Sequence, residues 1–264
     1  MDWFRSNSPS RFIATVLIVS AYFSGCASAP PTPTGLPGSP LAPSLTPITI
    51  SSAGTGVSLK TITHIVGPSE TLWRISKIYN VDMDTLLRVN RIADPTLIKN
   101  GQKLIIPSTA GARPVIPLYP SKKWRYIVVH HTATEDGNAH SIDQLHHKRG
   151  FWNGLGYHFL IDNGSAGKED GQIEVGPRWI KQLDGAHANA AGMNEMGIGV
   201  SLVGNYSERH VSRKTFDALL FLVKTLQRYY GISNSNVIRH KDVPGKNTEC
   251  PGNLFPWQEF KRRL

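Results

Sequence analysis

The chain is poor in cysteine: its 264 residues include only Cys26 and Cys250. At most one disulfide could form, which excludes the small secreted scaffolds held together by several bridges. Charge is missing from one long stretch, with no Asp, Glu, Lys or Arg between Phe12 and Leu59. There is also no run of five or more Lys/Arg residues. That argues against a dedicated nucleic-acid tail, even though the net charge of +10 favours anionic partners of some kind. Long hydrophobic runs are lacking as well. FIATVLIVSAYF, from Phe12 to Phe23, is 12 residues long, short of the ~20 that a helix needs to cross a bilayer.

With Arg5 and Arg11 ahead of it, this apolar core has the layout of an export signal. The segment that closes it, Phe23-Ser24-Gly25-Cys26, resembles the lipobox of bacterial lipoproteins, whose cysteine is lipidated and becomes the new N-terminus. Residues 1–26 are therefore assigned to a signal peptide with lipidation at Cys26, the alternative being cleavage after Ala29 as an ordinary secreted protein. Ala27 stands where an Asp would signal inner-membrane retention. The resemblance thus implies an outer-membrane lipoprotein facing the periplasm, otherwise a secreted or periplasmic protein. Residues 27–60 are rich in Pro, Ser, Thr and Gly and read as a tether. At ~3.1 Å per residue in an extended polyproline conformation its reach is on the order of 100 Å.

Residues 61–108 read as a β-α-α-β module. A strand at His64–Val66 precedes a helix opened by Glu70-Thr71 and carrying Leu72, Ile75 and Ile78 at helical spacing. Asp82 caps a second helix with Met83, Leu86, Leu87 and Val89, and Lys103–Pro107 closes the module as a strand. The pattern V-x-x-x-E-T-L-W, I-x-x-x-Y-x-V, L-L-x-x-N and L-I-x-x-G-Q-K-L-I-I-P resembles the LysM domain. That resemblance implies binding of N-acetylglucosamine-containing glycan, chiefly peptidoglycan. Residues 109–120 read as a Pro-rich linker, so LysM is expected to be separable from the domain C-terminal to it.

Residues 121–264 read as one α/β domain, a mixed sheet flanked by helices. Strands are expected at Tyr126–His131, Gly156–Asp162, Ile173–Val175, Gly197–Asn205 and Val237–Arg239. A helix capped by Ser141 should run to about Lys148. A long amphipathic helix should begin after Ser212, bury Phe216, Leu219, Leu220, Val223, Leu226 and Tyr230, and stop at Gly231.

Cys250 lies in a polar, turn-prone segment, Thr-Glu-Cys-Pro-Gly, which is an odd place for a core thiol. Imidazole and thiolate are zinc ligands, and a catalytic zinc keeps three protein ligands and one open position. His240 and Cys250 could be two of them, and His130, at the end of a buried strand, is the best third. His131, the next residue, faces the opposite way.

The stretches VVHHTAT, RGFWNGLGYHFLID, DGQIEVGPRW, GAHANAAGMNEMGIGVSLVGN and HKDVPGKNTECPG resemble, in order, the type 2 N-acetylmuramoyl-L-alanine amidases. That family is shared by phage amidases and peptidoglycan recognition proteins. The resemblance implies one Zn2+ per chain held by His130, His240 and Cys250, with Tyr157 and Thr248 as catalytic residues and His187 as a substrate contact. It also implies hydrolysis of the amide between N-acetylmuramic acid and L-alanine in peptidoglycan or muropeptides. A related branch has a Glu where this chain has Ser201, so glutamate catalysis at that position is excluded. His146, His147 and His158 read as structural or surface residues, and Glu174 is left unassigned. The expected partners are peptidoglycan, muropeptides and, through Cys26, a membrane. No nucleic acid is expected, and the chain is expected to be a monomer. The alternative is a peptidoglycan-binding envelope protein without catalysis.

Overall fold

A computed structural model of the chain describes residues 44–45 and 58–264. The expected signal peptide with Cys26, and nearly all of the expected tether, lie outside the described residues. A two-residue strand, β1 (Ser44–Leu45), pairs antiparallel with β4 (Pro117–Leu118).

The smaller module is built from β2 (Lys60–Ile65), α1 (Leu72–Tyr79), α2 (Met83–Asn90) and β3 (Lys103–Thr109), with β2 and β3 antiparallel. Asp82 caps α2 by accepting the Thr85 N–H, as its position predicts. Thr71, rather than Glu70, caps α1. Glu70 stays outside the helix and turns its carboxylate to the His64 ring at 2.8 Å and the Gly67 N–H at 2.9 Å. Val66, Leu72, Ile75, Ile78, Tyr79, Leu86, Leu104 and Ile106 form the core.

The larger sheet has five strands: β5 (Tyr126–His131), β6 (Phe159–Asn163), β7 (Asp170–Val175), β8 (Gly197–Leu202) and β9 (Val237–Arg239). Their order is β7-β6-β8-β5-β9, all parallel neighbours except the antiparallel β6–β7 pair. The chain is thus the mixed α/β fold that the sequence predicts. Alternation along the strands sends Ile127, Val129, Phe159, Ile161, Val200 and Leu202 into one core with Phe216, Leu219, Val223 and Leu226 of α6 (Arg213–Tyr230). Ser212 caps α6, and Gly231 ends it at φ 68°, where only glycine is unstrained.

Several boundaries differ from the sequence-based expectation: β2 runs Lys60–Ile65 and not His64–Val66, β3 continues to Thr109, and β7 begins at Asp170 and not Ile173. The helix α3 (Ala139–Lys148) is capped by Asn138, while Ser141 returns a hydrogen bond as the third residue of a capping box. Both residues can cap, and the Asn138 carboxamide also donates to the Ala166 carbonyl, which anchors it first. The strand β6 begins at Phe159, not Gly156, because Gly156 is occupied elsewhere: its N–H donates to His146 and its carbonyl accepts from Ala186. The strand β8 ends at Leu202 and not Asn205, and Gly204 beyond it takes φ 141°.

The segment 109–120 is packed rather than free. Ile116 and Leu118 are buried in the larger core, Trp179 donates to the Pro117 carbonyl at 2.7 Å, and Arg113 N–H donates to the Ile78 carbonyl. The smaller module also docks directly on the sheet domain. Lys168, its side chain wholly buried, donates to the Ile65 carbonyl at 2.7 Å and pairs with Glu174 at 2.6 Å. Gln172 reaches the Tyr79 hydroxyl, and Asn100 meets both His140 and Asp143. Short helices complete the larger domain: α4 (Pro177–Ile180), α5 (Met193–Met196) and α7 (Trp257–Arg263). Among the described residues, no helix is long and apolar enough to cross a membrane.

Candidate metal centre

Strand register builds the centre. In the parallel β5–β9 pair, Val129 stands beside Arg239, so the next residues on each strand, His130 and His240, come out side by side. Their ring centroids are 4.5 Å apart. Both sit at the carboxyl ends of parallel strands, where open α/β sheets place their ligands. Since β9 stops at Arg239, the His131 N–H has no strand partner there and donates instead to Cys250 Sγ at 3.3 Å. The loop bearing Cys250 is tied back by Lys241 N–H on the Cys250 carbonyl at 3.0 Å. Arg239 closes the intervening turn on Asp242 at 2.7 and 2.8 Å.

One ligand atom from each of His130, His240 and Cys250 lies within 4.8 Å of the other two. Cys250 Sγ is 3.8 Å from His130 Nδ1. Zinc bonds of about 2.0–2.3 Å in a tetrahedral arrangement bring their ligand atoms to roughly that separation. The surroundings fit a cation here. His240 Nε2 is buried with no hydrogen-bond partner, as a nitrogen awaiting a ligand would be. Burial pushes the Cys250 thiol up to about 12, opposed by the His131 N–H, so the thiolate needs a neighbouring positive charge. Burial, together with neighbouring imidazoles, drives His130 well below its usual range, and burial with Lys246 nearby takes His240 to about 4. Both rings are therefore neutral and able to act as ligands.

Tyr157 is half-buried, its ring 5.3 Å from that of His130. Burial and the Cys250 sulfur raise its phenol to about 12, which keeps it a hydrogen-bond donor at neutral pH. Thr248 accepts the Cys250 N–H at 3.2 Å, so it shapes the turn that presents the sulfur and retains its own O–H. His187 is buried, and both of its ring nitrogens are engaged by protein: Nδ1 lies 3.1 Å from His130 Nε2 and Nε2 lies 3.1 Å from the Gly197 carbonyl. A substrate contact through the ring, which the family resemblance implies, would have to displace one of these two partners. His131 turns away and accepts the Tyr206 N–H. His158 is wholly buried between the Gly199 N–H and the Leu183 carbonyl, His147 is exposed, and His146 accepts the Gly156 N–H while stacking on Phe151. Sequence reasoning missed Asn194, whose carbonyl oxygen accepts from both His187 N–H and Ala188 N–H. It also missed the Lys168–Glu174 pair at the module boundary, which carries no sequence signature beyond the two residue types.

Residues 120–253 match the profile of the N-acetylmuramoyl-L-alanine amidase family (Amidase_2), and residues 64–107 match the LysM domain. Peptidoglycan-recognition protein 2 of Holotrichia diomphalia is 30% identical over 158 residues, covering 54% of this chain and 78% of that protein. Peptidoglycan recognition protein 1 of Mus musculus is 30% identical over 151 residues, covering 52% and 77%. A solved structure of an N-acetylmuramoyl-L-alanine amidase from Clostridium intestinale shares 37% identity, with coverage of 55% and 88% and a TM-score of 0.45. The profile match spans half of the chain and contains every residue of the centre just described, so this chain belongs to the Amidase_2 family and carries a LysM domain ahead of its amidase-type domain.

Proposed function

We propose that the protein is a zinc-dependent N-acetylmuramoyl-L-alanine amidase, hydrolysing the amide between N-acetylmuramic acid and L-alanine of peptidoglycan or muropeptides. The observation that carries this is the convergence of His130, His240 and Cys250 within 4.8 Å in a domain of the amidase family. These three residues would hold one zinc ion. Bound there, zinc supplies a Lewis acid for the scissile carbonyl and lowers the pKa of a water molecule toward ~7.

The chain's own residues do the rest. The Tyr157 phenol, protonated at neutral pH, donates toward charge developing on the carbonyl oxygen or orients the attacking water. The Thr248 hydroxyl keeps the Cys250 loop in shape and offers a second donor at the rim. The His131 N–H stabilises the sulfur as thiolate.

In this proposal the domain limits are 61–108 for LysM and 121–264 for the amidase domain, with 27–60 as a tether from a lipidated Cys26 in the outer membrane. LysM supports a wall-associated location, since such modules hold peptidoglycan glycan. A second reading, binding without catalysis, is favoured by the recognition proteins among the relatives at 30% identity. Digestion of purified sacculi followed by mass spectrometry separates the two. Free peptides beginning with L-Ala, abolished by chelator and restored by zinc, are the expected result. Bound protein with no peptide released would establish the binding reading instead.

A further inference from the structure

The buried His187 is not a metal-facing residue, yet its surroundings are built around it. An added Cβ at Gly199 or at Gly185 would stand 2.3 Å from its ring. Gly199 lies within β8 without a positive φ, so it is needed there for space and not for backbone conformation. Asn194 clamps the His187 backbone N–H at 2.9 Å. Two glycines and a carboxamide thus hold one imidazole at the back of His130.

The hydrogen bonds fix where the protons sit. The Gly197 carbonyl can only accept, so His187 Nε2 carries a hydrogen. The ring is buried and neither partner is a carboxylate that would hold a second proton on it, so it is neutral and has one N–H. His187 Nδ1 is then an acceptor, and the donor facing it at 3.1 Å is His130 Nε2–H. His130 Nδ1 is left as a lone pair, on the side that looks at Cys250 Sγ.

We infer that His187 is a positioning residue: through His130 Nε2 it locks the tautomer and ring plane that point His130 Nδ1 at the metal position, and it does not bind substrate. The inference rests on the metal-site reading above. A backbone carbonyl at the start of β8 thereby sets the ligand atom of a residue in β5, through one intervening ring. Partners behind metal-binding histidines commonly set affinity by 10- to 100-fold.

The test uses the full chain and zinc itself, in competition with a chromophoric chelator. His187→Leu removes the acceptor and should weaken zinc affinity about 10- to 100-fold. His187→Asn keeps an acceptor near the Nδ1 position and should recover affinity to within about 3-fold of the parent, on the same reasoning. Gly199→Ala, which leaves His187 in the sequence but crowds its ring, should weaken zinc like His187→Leu. The visible absorption of the cobalt-substituted protein should shift in His187→Leu and not in His187→Asn. With zinc in excess, KM for a soluble muropeptide should be unchanged in both variants. A raised KM with parental zinc affinity would overturn the inference and make His187 a substrate contact. Equal affinities for the parent and His187→Leu would overturn it as well. If the parent itself binds no zinc, the metal-site reading falls and takes this inference with it, an outcome distinct from either of the others.

Discussion

Replacing Lys168 with methionine should unfold the seam between the two modules before it touches the metal centre. The ammonium is wholly enclosed and has two partners, Glu174 at 2.6 Å and the Ile65 carbonyl of the LysM strand at 2.7 Å. Burial works against its charge, but Glu174, Glu70 and Asp162 outweigh that and hold its pKa up. Methionine matches the stem and removes the charge, leaving Glu174 and Asp162 as buried carboxyls with no cation between them. Breaking a buried pair by removing one partner costs about 3–5 kcal/mol. At about 2–4 °C per kcal/mol for a domain of this size, the midpoint of thermal unfolding should fall by about 6–20 °C. The double variant Lys168→Met/Glu174→Gln should recover more than half of the loss, because Gln still accepts the Ala139 N–H and removes the carboxylate that faced the ammonium at 2.6 Å. Circular dichroism melts of the full chain measure both. A midpoint within 2 °C of the parent for Lys168→Met, or additive losses in the double variant, would refute the reasoning. By the same logic, excising LysM should destabilise the amidase domain, contrary to the separable behaviour that a Pro-rich linker suggests.

Tyr157→Phe should lower kcat by about 10²- to 10³-fold, the usual worth of one donor at a developing oxyanion, with zinc content by elemental analysis unchanged; lost zinc would make the tyrosine structural instead. Cys250→Ser should lose zinc outright, since a neutral hydroxyl is a poor ligand beside thiolate, and parental metal content would remove it from the ligand set. Asp162 is wholly buried, and burial with the Glu174 carboxyl beside it holds its pKa well above the usual range. A carboxyl raised on folding costs stability above its unfolded pKa and ceases to cost as pH falls below it. Asp162→Asn should therefore raise the melting midpoint at pH 8, with the gain shrinking toward pH 4; a gain independent of pH would count against an ionisable origin. Cys26→Ala should release the protein from the membrane fraction, and retention with a demonstrably cleaved signal would rule out lipid anchoring.

Sequence alone determined the features that depend on a few neighbouring residues. Asp82 and Ser212 cap their helices because each donor they satisfy lies three residues on, and Gly231 stops α6 because the left-handed turn there suits glycine. Strand alternation likewise separates His130 from His131, and the β-α-α-β order of the LysM module was legible from apolar spacing. Where two capping residues compete, as Asn138 and Ser141 do, the choice fell to a distant contact with Ala166. Only the tertiary structure decided which His130 nitrogen faces Cys250, because the answer lies in a ring 57 positions away and in a backbone carbonyl behind it. It also decided that the Pro-rich segment is packed and that Lys168 reaches across 103 positions into LysM. Residue types reveal what a side chain can bond to; which partner it meets depends on the close packing of elements whose register no local pattern records.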